Sequence, residues 1–316
     1  MKTFLALKEG SVVECSPEAA NFWIYSDPAD AEKRELLDSL RIDEHALESA
    51  LDPDEVSRVE FPPDHAFIIW KRPSRASSQQ QFSFEVSSVG IFLNPRRLTM
   101  ILGKGDPPSF TSKEFQSIGS LNDLTLRFLL GSTRHYFEDL KVIKQLTREL
   151  QTKLNTSLEN QYLLKMFALA ESLTYYLNAI EANAAVLSRL RAHSETIGFS
   201  ERELEILDDL SIEHQQCYKQ TEITSSVLST LMDARGTLVN NNMNVLLKNL
   251  TIINVIFLPL NLLASILGMS EFTDMTRSVD WKVSYSLLIV AMGALGWLTW
   301  RYLVRRIDRW VARAGR

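Results

Sequence analysis

Cysteine is scarce: Cys15 and Cys217 are the only two in 316 residues. They stand far apart, which excludes a disulfide framework and fits a reducing compartment. Proline is missing from Ser109 to Leu258, although the chain holds ten. Proline removes a helix hydrogen bond and clashes with the preceding turn, so this gap is where long helices can run. Only four glycines fall within residues 111–250. Charge is missing twice near the C-terminus. Neither Asn249–Ser270 nor Val283–Trp300 contains Asp, Glu, Lys, Arg or His. There is also no Gly-rich phosphate loop, no metalloprotease motif and no meaningful order of Ser, His and Asp, so no enzyme is expected. Met1 to Gly10 carries Lys2, Lys8 and Glu9 and no apolar stretch. No signal peptide is read there, and the N-terminal part is expected in the cytosol.

Each charge-free run approaches the roughly 20 residues that a helix needs to cross a bilayer. Two transmembrane helices are therefore expected. The tail from Arg301 to Arg316 holds six arginines against Asp308, while the break between the runs holds Glu271, Asp274 and Asp280 against Arg277 and Lys282. By the positive-inside rule the tail lies in the cytosol and the break outside. That topology is expected for a cell inner (plasma) membrane protein with both termini cytoplasmic. Trp281, Tyr285, Trp297, Trp300 and Tyr302 sit near the ends of the second run, as interfacial aromatics do. The basic tail follows a membrane span, so it reads as a topology determinant and a contact for lipid headgroups, and no nucleic-acid partner is expected.

Residues 1–110 read as a cytosolic α/β domain. "NFWIYSD", "HAFIIWKRP", "FSFEVSSVGIFL" and "RLTMILG" are short aromatic and β-branched runs bounded by turn residues. "DPADAEKRELLDSLRI" and "IDEHALESAL" read as helices, and "RPSRASSQQQ" as a polar turn. Residues 111–200 read as a helical hairpin packed on the sheet. Gly198 ends a helix, and Ser200 with Glu203 forms a capping box for the next. From Glu201 nothing strongly stops a helix before Gly268, an expected length of roughly 100 Å. It divides into a stalk at 201–249 and a first span at 250–269. An external loop at 270–282, a second span at 283–304 and a basic tail at 305–316 complete the chain. Thr221, Ser225, Arg235, Asn242 and Asn249 make the stalk's stripe polar in places, as packing of several copies around a wet axis would tolerate.

"NVLLKNLTIINVIFLPLNLLASILGMS" at 244–270 resembles the pore helix of the CorA family of divalent metal-ion transporters. There an Asn-led segment runs through Leu-Thr-Ile-Ile and Phe-x-Pro-Leu to a terminal Gly-Met-Asn. The corresponding elements are Asn244, "LTII" at 250–253, "FLPL" at 257–260 and Gly268-Met269, with Ser270 in place of the family's Asn. "VGIFLNPRRLTMIL" resembles the family's sheet region.

The resemblance implies a CorA-like funnel, a homopentamer and a pore lined by the first span. Its selectivity filter would be Gly268, Met269 and Ser270, and its pore-lining set Asp233, Asn244, Leu247, Leu250, Val255, Leu258, Asn261 and Ser265. It also implies a regulatory metal at Asp208 or Asp209.

Physical chemistry adds roles for these residues. Leu247, Leu250 and Leu258 would form apolar rings that gate by dewetting, and Pro259 frees a carbonyl near mid-span. Asn254 and Asn261 are costly in lipid unless they face an interior, water or another helix. Glu271, Asp274 and Asp280, repeated around an axis, would concentrate cations. Ser270 is shorter than Asn, which widens its ring and weakens the preference for Mg²⁺, so Zn²⁺, Co²⁺ or Ni²⁺ are candidate cargoes. His214 and Cys217, at i and i+3 on one helix face, are a candidate Zn²⁺ ligand pair that needs a third ligand from elsewhere. The competing reading is a non-transporting membrane sensor or scaffold that kept the architecture and lost the filter. No organic cofactor is expected. The expected partners are further copies of the chain and membrane lipid.

Overall fold

The computed structural model describes residues 1–38, 40, 42–74, 83–103, 108, 110, 115–156, 160–268, 274 and 280–314. Met269, Ser270 and Glu271 lie outside the described residues, as does most of the polar turn expected after Arg72. The chain divides into two compact units, Met1–Met232 and Asp233–Arg316. The division falls inside a helix that the sequence reading split into stalk and span.

The first unit opens with β1 (Lys2–Lys8), β2 (Ser11–Glu14) and β3 (Phe22–Ser26). Then come α1 (Asp30–Asp38), α2 (Glu44–Leu51), β4 (Arg58–Glu60), β5 (Ala66–Ser74), β6 (Glu85–Leu93) and β7 (Leu98–Leu102). These strands form one seven-stranded sheet in the order β2-β1-β3-β7-β6-β5-β4. Every pairing is antiparallel except β3 with β7, which run parallel with Phe22 opposite Leu98.

Alternation along each strand sends side chains to two apolar layers. Tyr25, Phe67, Ile69, Phe92 and Ile101 face α1 and α2, packing with Leu36, Leu47 and Ala50. Phe22, Ile68, Trp70, Ile91 and Met100 face the other way, into the long helices. Gly90 is required where β6 passes under α2, since a Cβ there would sit 2.3 Å from the Ala50 Cβ.

The long helices are α3 (Leu121–Thr156) and α4 (Asn160–Ala192), followed by one turn, α5 (Ser194–Ile197), and by α6 (Glu201–Leu267). Gly198 takes φ 80° and closes α5. Ser200 and Glu203 form the reciprocal capping box: Ser200 N donates to Glu203 Oε2 at 2.7 Å, and Glu203 N to Ser200 Oγ at 3.4 Å. Within the first unit, α6 buries Leu207, Leu210, His214, Cys217, Thr221, Thr224 and Leu228, alternating steps of three and four. Thr221 therefore belongs to the intrachain packing face and not to a wet axis, and its hydroxyl donates to Cys217 O at 2.9 Å.

In the second unit α6 continues without interruption through Pro259 to Leu267, and α7 (Trp281–Ala314) follows. Both helices are long and apolar enough to cross a membrane. Their apolar side chains are exposed in the single chain, among them Leu246, Ile253, Phe257 and Leu262 on α6 and Leu287, Ile289 and Val290 on α7. Exposed apolar surface on this scale calls for lipid or further copies of the chain.

Candidate functional site

The site is built on α6 where it passes α7. Gly296 marks the contact: a Cβ at that position would lie 3.4 Å from Leu260 Cδ1 and 4.0 Å from Ile256 Cγ2. Ile252, Ile256, Leu260 and Leu263 are accordingly half-buried. A helix turns about 100° per residue, so the face directly opposite Ile256 and Leu260 is centred on Leu258, which is 70% exposed.

That opposite face carries a seam of two adjacent rows. One row is Asp233, Asn240, Leu247, Asn254 and Asn261, each seven residues from the next. The other is Thr237, Asn244, Thr251, Leu258 and Ser265, with the same repeat. Alternating steps of three and four are the geometry of parallel helices packed about a common axis. In such a seam an ordinary coiled coil is apolar, whereas here only Leu247 and Leu258 are. Thr251 satisfies its hydroxyl on Leu247 O at 2.7 Å. Among the described residues the amides of Asn254 and Asn261 make no hydrogen bond within the chain. In hydrocarbon such amides need water, an ion or a neighbouring helix.

The structure thus brings Asp233, Asn244, Leu247, Leu258, Asn261 and Ser265 onto one seam. Leu250 and Val255 flank it, about 80° and 60° from Leu258. Thr237, Asn240, Thr251 and Asn254 also lie on the seam, and counting steps of three and four back from Ser265 would have found them. Gly268 ends α6, its N donating to Ala264 O at 2.9 Å. Asp280 is a cap as well as an acid, because its Oδ1 accepts from Lys282 N at 3.1 Å and its carbonyl accepts from Val283 N and Ser284 N. Asp274 is exposed.

The other metal candidates lie in the first unit. Asp208 pairs with Arg191 at 3.1 Å, and Asp209 is exposed beside it. His214 and Cys217 are not a ligand pair. The His214 Nε2 lies 2.8 Å from Ile180 O and its Nδ1 3.1 Å from Thr133 Oγ1, so both ring nitrogens are engaged. Burial pushes the Cys217 thiol up to about 12. Among the described residues no group of three His, Cys, Asp or Glu side chains is gathered to hold a metal.

Comparison with known proteins identifies the family and the fold. The family described as CorA-like Mg²⁺ transporter protein matches residues 18–306. The cobalt/magnesium transport protein CorA of Methanocaldococcus jannaschii is 28% identical over 320 residues, covering 92% of this chain and 96% of its own. The complete structure of the CorA magnesium transporter from that organism superposes with a TM-score of 0.76 at 21% identity, covering 96% of both chains. The full-length CmaX protein superposes with a TM-score of 0.70 at 14% identity, also over 96% of both. With a family match spanning nearly the whole sequence, from the sheet through both apolar helices, the chain belongs to the CorA-like Mg²⁺ transporter family.

Proposed function

We propose that several copies of this chain, five by analogy with the family resemblance, assemble into a channel or transporter for divalent cations, with α6 lining a water-filled axis. The observation that carries this reading is the seam opposite α7, in which the amides of Asn254 and Asn261 have no partner among the described residues. Mg²⁺ sheds its water reluctantly and prefers oxygen ligands. Amide and hydroxyl oxygens on a wet axis can hydrogen-bond its hydration shell without stripping it.

In this reading Gly268, Met269 and Ser270 form the outer filter, and Ser270 presents a wider, less selective ring than an amide would. Mg²⁺, Zn²⁺, Co²⁺ and Ni²⁺ are the candidate cargoes. Glu271 and Asp274 draw cations to the outer mouth. Asp208 and Asp209 bind a regulatory cation between copies, and the stalk portion of α6 transmits that state to the membrane. Both termini lie in the cytoplasm, with Arg301 and Arg305 at the inner leaflet of a plasma membrane.

The test is flux of each of the four ions into liposomes containing the purified full chain. Uptake of at least one above empty liposomes is expected, and no uptake of any would overturn the reading. Ser270→Asn is expected to raise Mg²⁺ flux relative to the other three ions. If the wild type conducts nothing and Ser270→Asn conducts Mg²⁺, the chain is a sensor or scaffold whose pore lost only its filter.

A further inference from the structure

The sequence alone suggests an apolar gate running from Leu247 to Leu258, closed by dewetting. The geometry of α6 changes that picture. Between those two leucines the seam carries Thr251 and Asn254, while Leu250 and Val255 stand to either side. Leu247 and Leu258 are separated by about 16 Å along the axis, and the surface between them is polar. An apolar constriction interrupted by an amide is not a continuous dry plug, because water that reaches the amide has a partner to hold it.

Asn254 is also aligned with Asn261. The two are seven residues apart, two turns along the same row, or about 10 Å. Among the described residues neither amide has a hydrogen-bond partner. At about 100° per residue they lie about 160° and 140° around α6 from Ile256, which packs on Gly296 of α7. A ring of Asn254 carbonyl oxygens would accept hydrogen bonds from the water shell of a cation, as the ring of Asn261 would two turns further on.

We infer that Asn254 forms a second cation-hydrate site inside the membrane, in tandem with Asn261, and that the region between Leu247 and Leu258 stays wet. The cargo at this site is a hydrated divalent cation handed from one amide ring to the next. Leu250 and Val255 make the helix-to-helix contacts that seal the wall. This inference rests on the proposed pore, and the experiment separates the two.

Variants of the full chain with one added cysteine, Asn254→Cys, Val255→Cys, Leu258→Cys and Asn261→Cys, are reconstituted in liposomes. Divalent flux is measured before and after a charged methanethiosulfonate reagent, which modifies thiols that water reaches. The wild type, with its native Cys15 and Cys217, is the control. Flux through Asn254→Cys, Leu258→Cys and Asn261→Cys is expected to fall at least about tenfold on modification, and flux through Val255→Cys to change less than about twofold. Block of Leu258→Cys and Asn261→Cys without block of Asn254→Cys overturns the second site and leaves the pore standing. So does block of Val255→Cys equal to that of Asn254→Cys. Absence of block at all positions overturns the pore and the site with it. As a chemical check, Asn254→Leu is expected to cut flux about tenfold while Asn254→Ser, which keeps a hydroxyl acceptor, retains most of it. Unchanged flux in Asn254→Leu overturns the inference.

Discussion

The Asn183 side chain holds both backbone groups of Lys71: its Nδ2 donates to Lys71 O at 2.8 Å, and its Oδ1 accepts from Lys71 N at 3.0 Å. The strand β4 has only three residues and pairs with β5 no further than Arg58 opposite Ile69. Beyond that point an amide from α4 takes the place of the missing strand. Ser57 Oγ adds a third bond to Asn183 Oδ1 at 2.7 Å. Replacing Asn183 by Leu leaves buried backbone donors and acceptors without partners, a loss of about 2–4 kcal/mol. The denaturant midpoint of the full chain in detergent, followed by tryptophan fluorescence, is expected to drop accordingly. An unchanged midpoint would show that β5 does not depend on this side chain.

A second latch ties α6 to its surroundings through His214, whose ring contacts Thr133 on α3, Ile180 O on α4 and the Trp70 ring on β5. Burial holds its pKa below the ordinary 6.5, outweighing the hydrogen bond to Ile180 O. Among the described residues no carboxylate is paired with it, and the adjacent Glu213 is paired with Arg134 at 3.1 Å. As pH falls through 6.5 the unfolded chain takes up a proton that the folded chain refuses. Stability present above that pH is therefore lost progressively below it, at no more than about 1.4 kcal/mol per pH unit. Melting curves from pH 7.5 to 5.5 are expected to be steeper for the wild type than for His214→Gln. His65 is also held low by burial, but it is common to both proteins and cancels in the difference. Parallel curves would sink the assignment.

Much of the fold was legible in the sequence where the physics is local. The proline-free stretch marked the long helices, the Ser200–Glu203 spacing marked the start of α6, and the aromatic runs marked β3, β5, β6 and β7. The strands β1, β2 and β4 were missed. "KTFLALK" carries no alternation strong enough to separate strand from helix, and β4 is too short to show a period. The parallel pairing of β3 with β7 joins residues 76 positions apart, Phe22 with Leu98 through Ser26 with Leu102, which no local pattern encodes. At the site, Asn254 and Asn261 stand out because polar groups in an apolar run are costly, whereas Ser265 is named only by the resemblance. The resemblance alone does not put Asn254 on the row of Asn261, whereas the seven-residue spacing along α6 does. His214 looked like a metal ligand because its true partners arrive from three distant segments.

Cys217 makes a simple check on the packing of α6. It is buried against α3 and α4, near Tyr136 and Tyr176, and its thiol is pushed up to about 12 by burial. Cys15 is half-buried in the loop after β2. A maleimide at neutral pH is expected to label Cys15 alone in the folded protein and both cysteines in denaturant, since the thiolate is the reactive form. Labelling of Cys217 at the rate of Cys15 would mean that α6 lifts away from the hairpin in solution.

Gly296 tests the arrangement on which the functional reading depends, the face of α6 turned toward α7. A methyl group at this position meets Leu260 Cδ1 at 3.4 Å, an ordinary contact, so Gly296→Ala is expected to assemble and conduct like the wild type. A leucine has no such room. It must push α7 off Ile256 and Leu260 at an overpacking cost of about 1–3 kcal/mol, because small residues are what let membrane helices approach closely. The displacement rotates or tilts α6, and the seam centred on Leu258 would then turn away from the axis proposed for it. Flux in liposomes is expected to fall at least about tenfold in Gly296→Leu. Gly293 lies one turn earlier on the same helix, and no neighbouring atom comes within 4 Å of its Cβ position, so Gly293→Leu is expected to retain flux. If Gly293→Leu and Gly296→Leu lose flux equally, the effect belongs to bulk anywhere on α7, and the seam has been placed on the wrong side of α6.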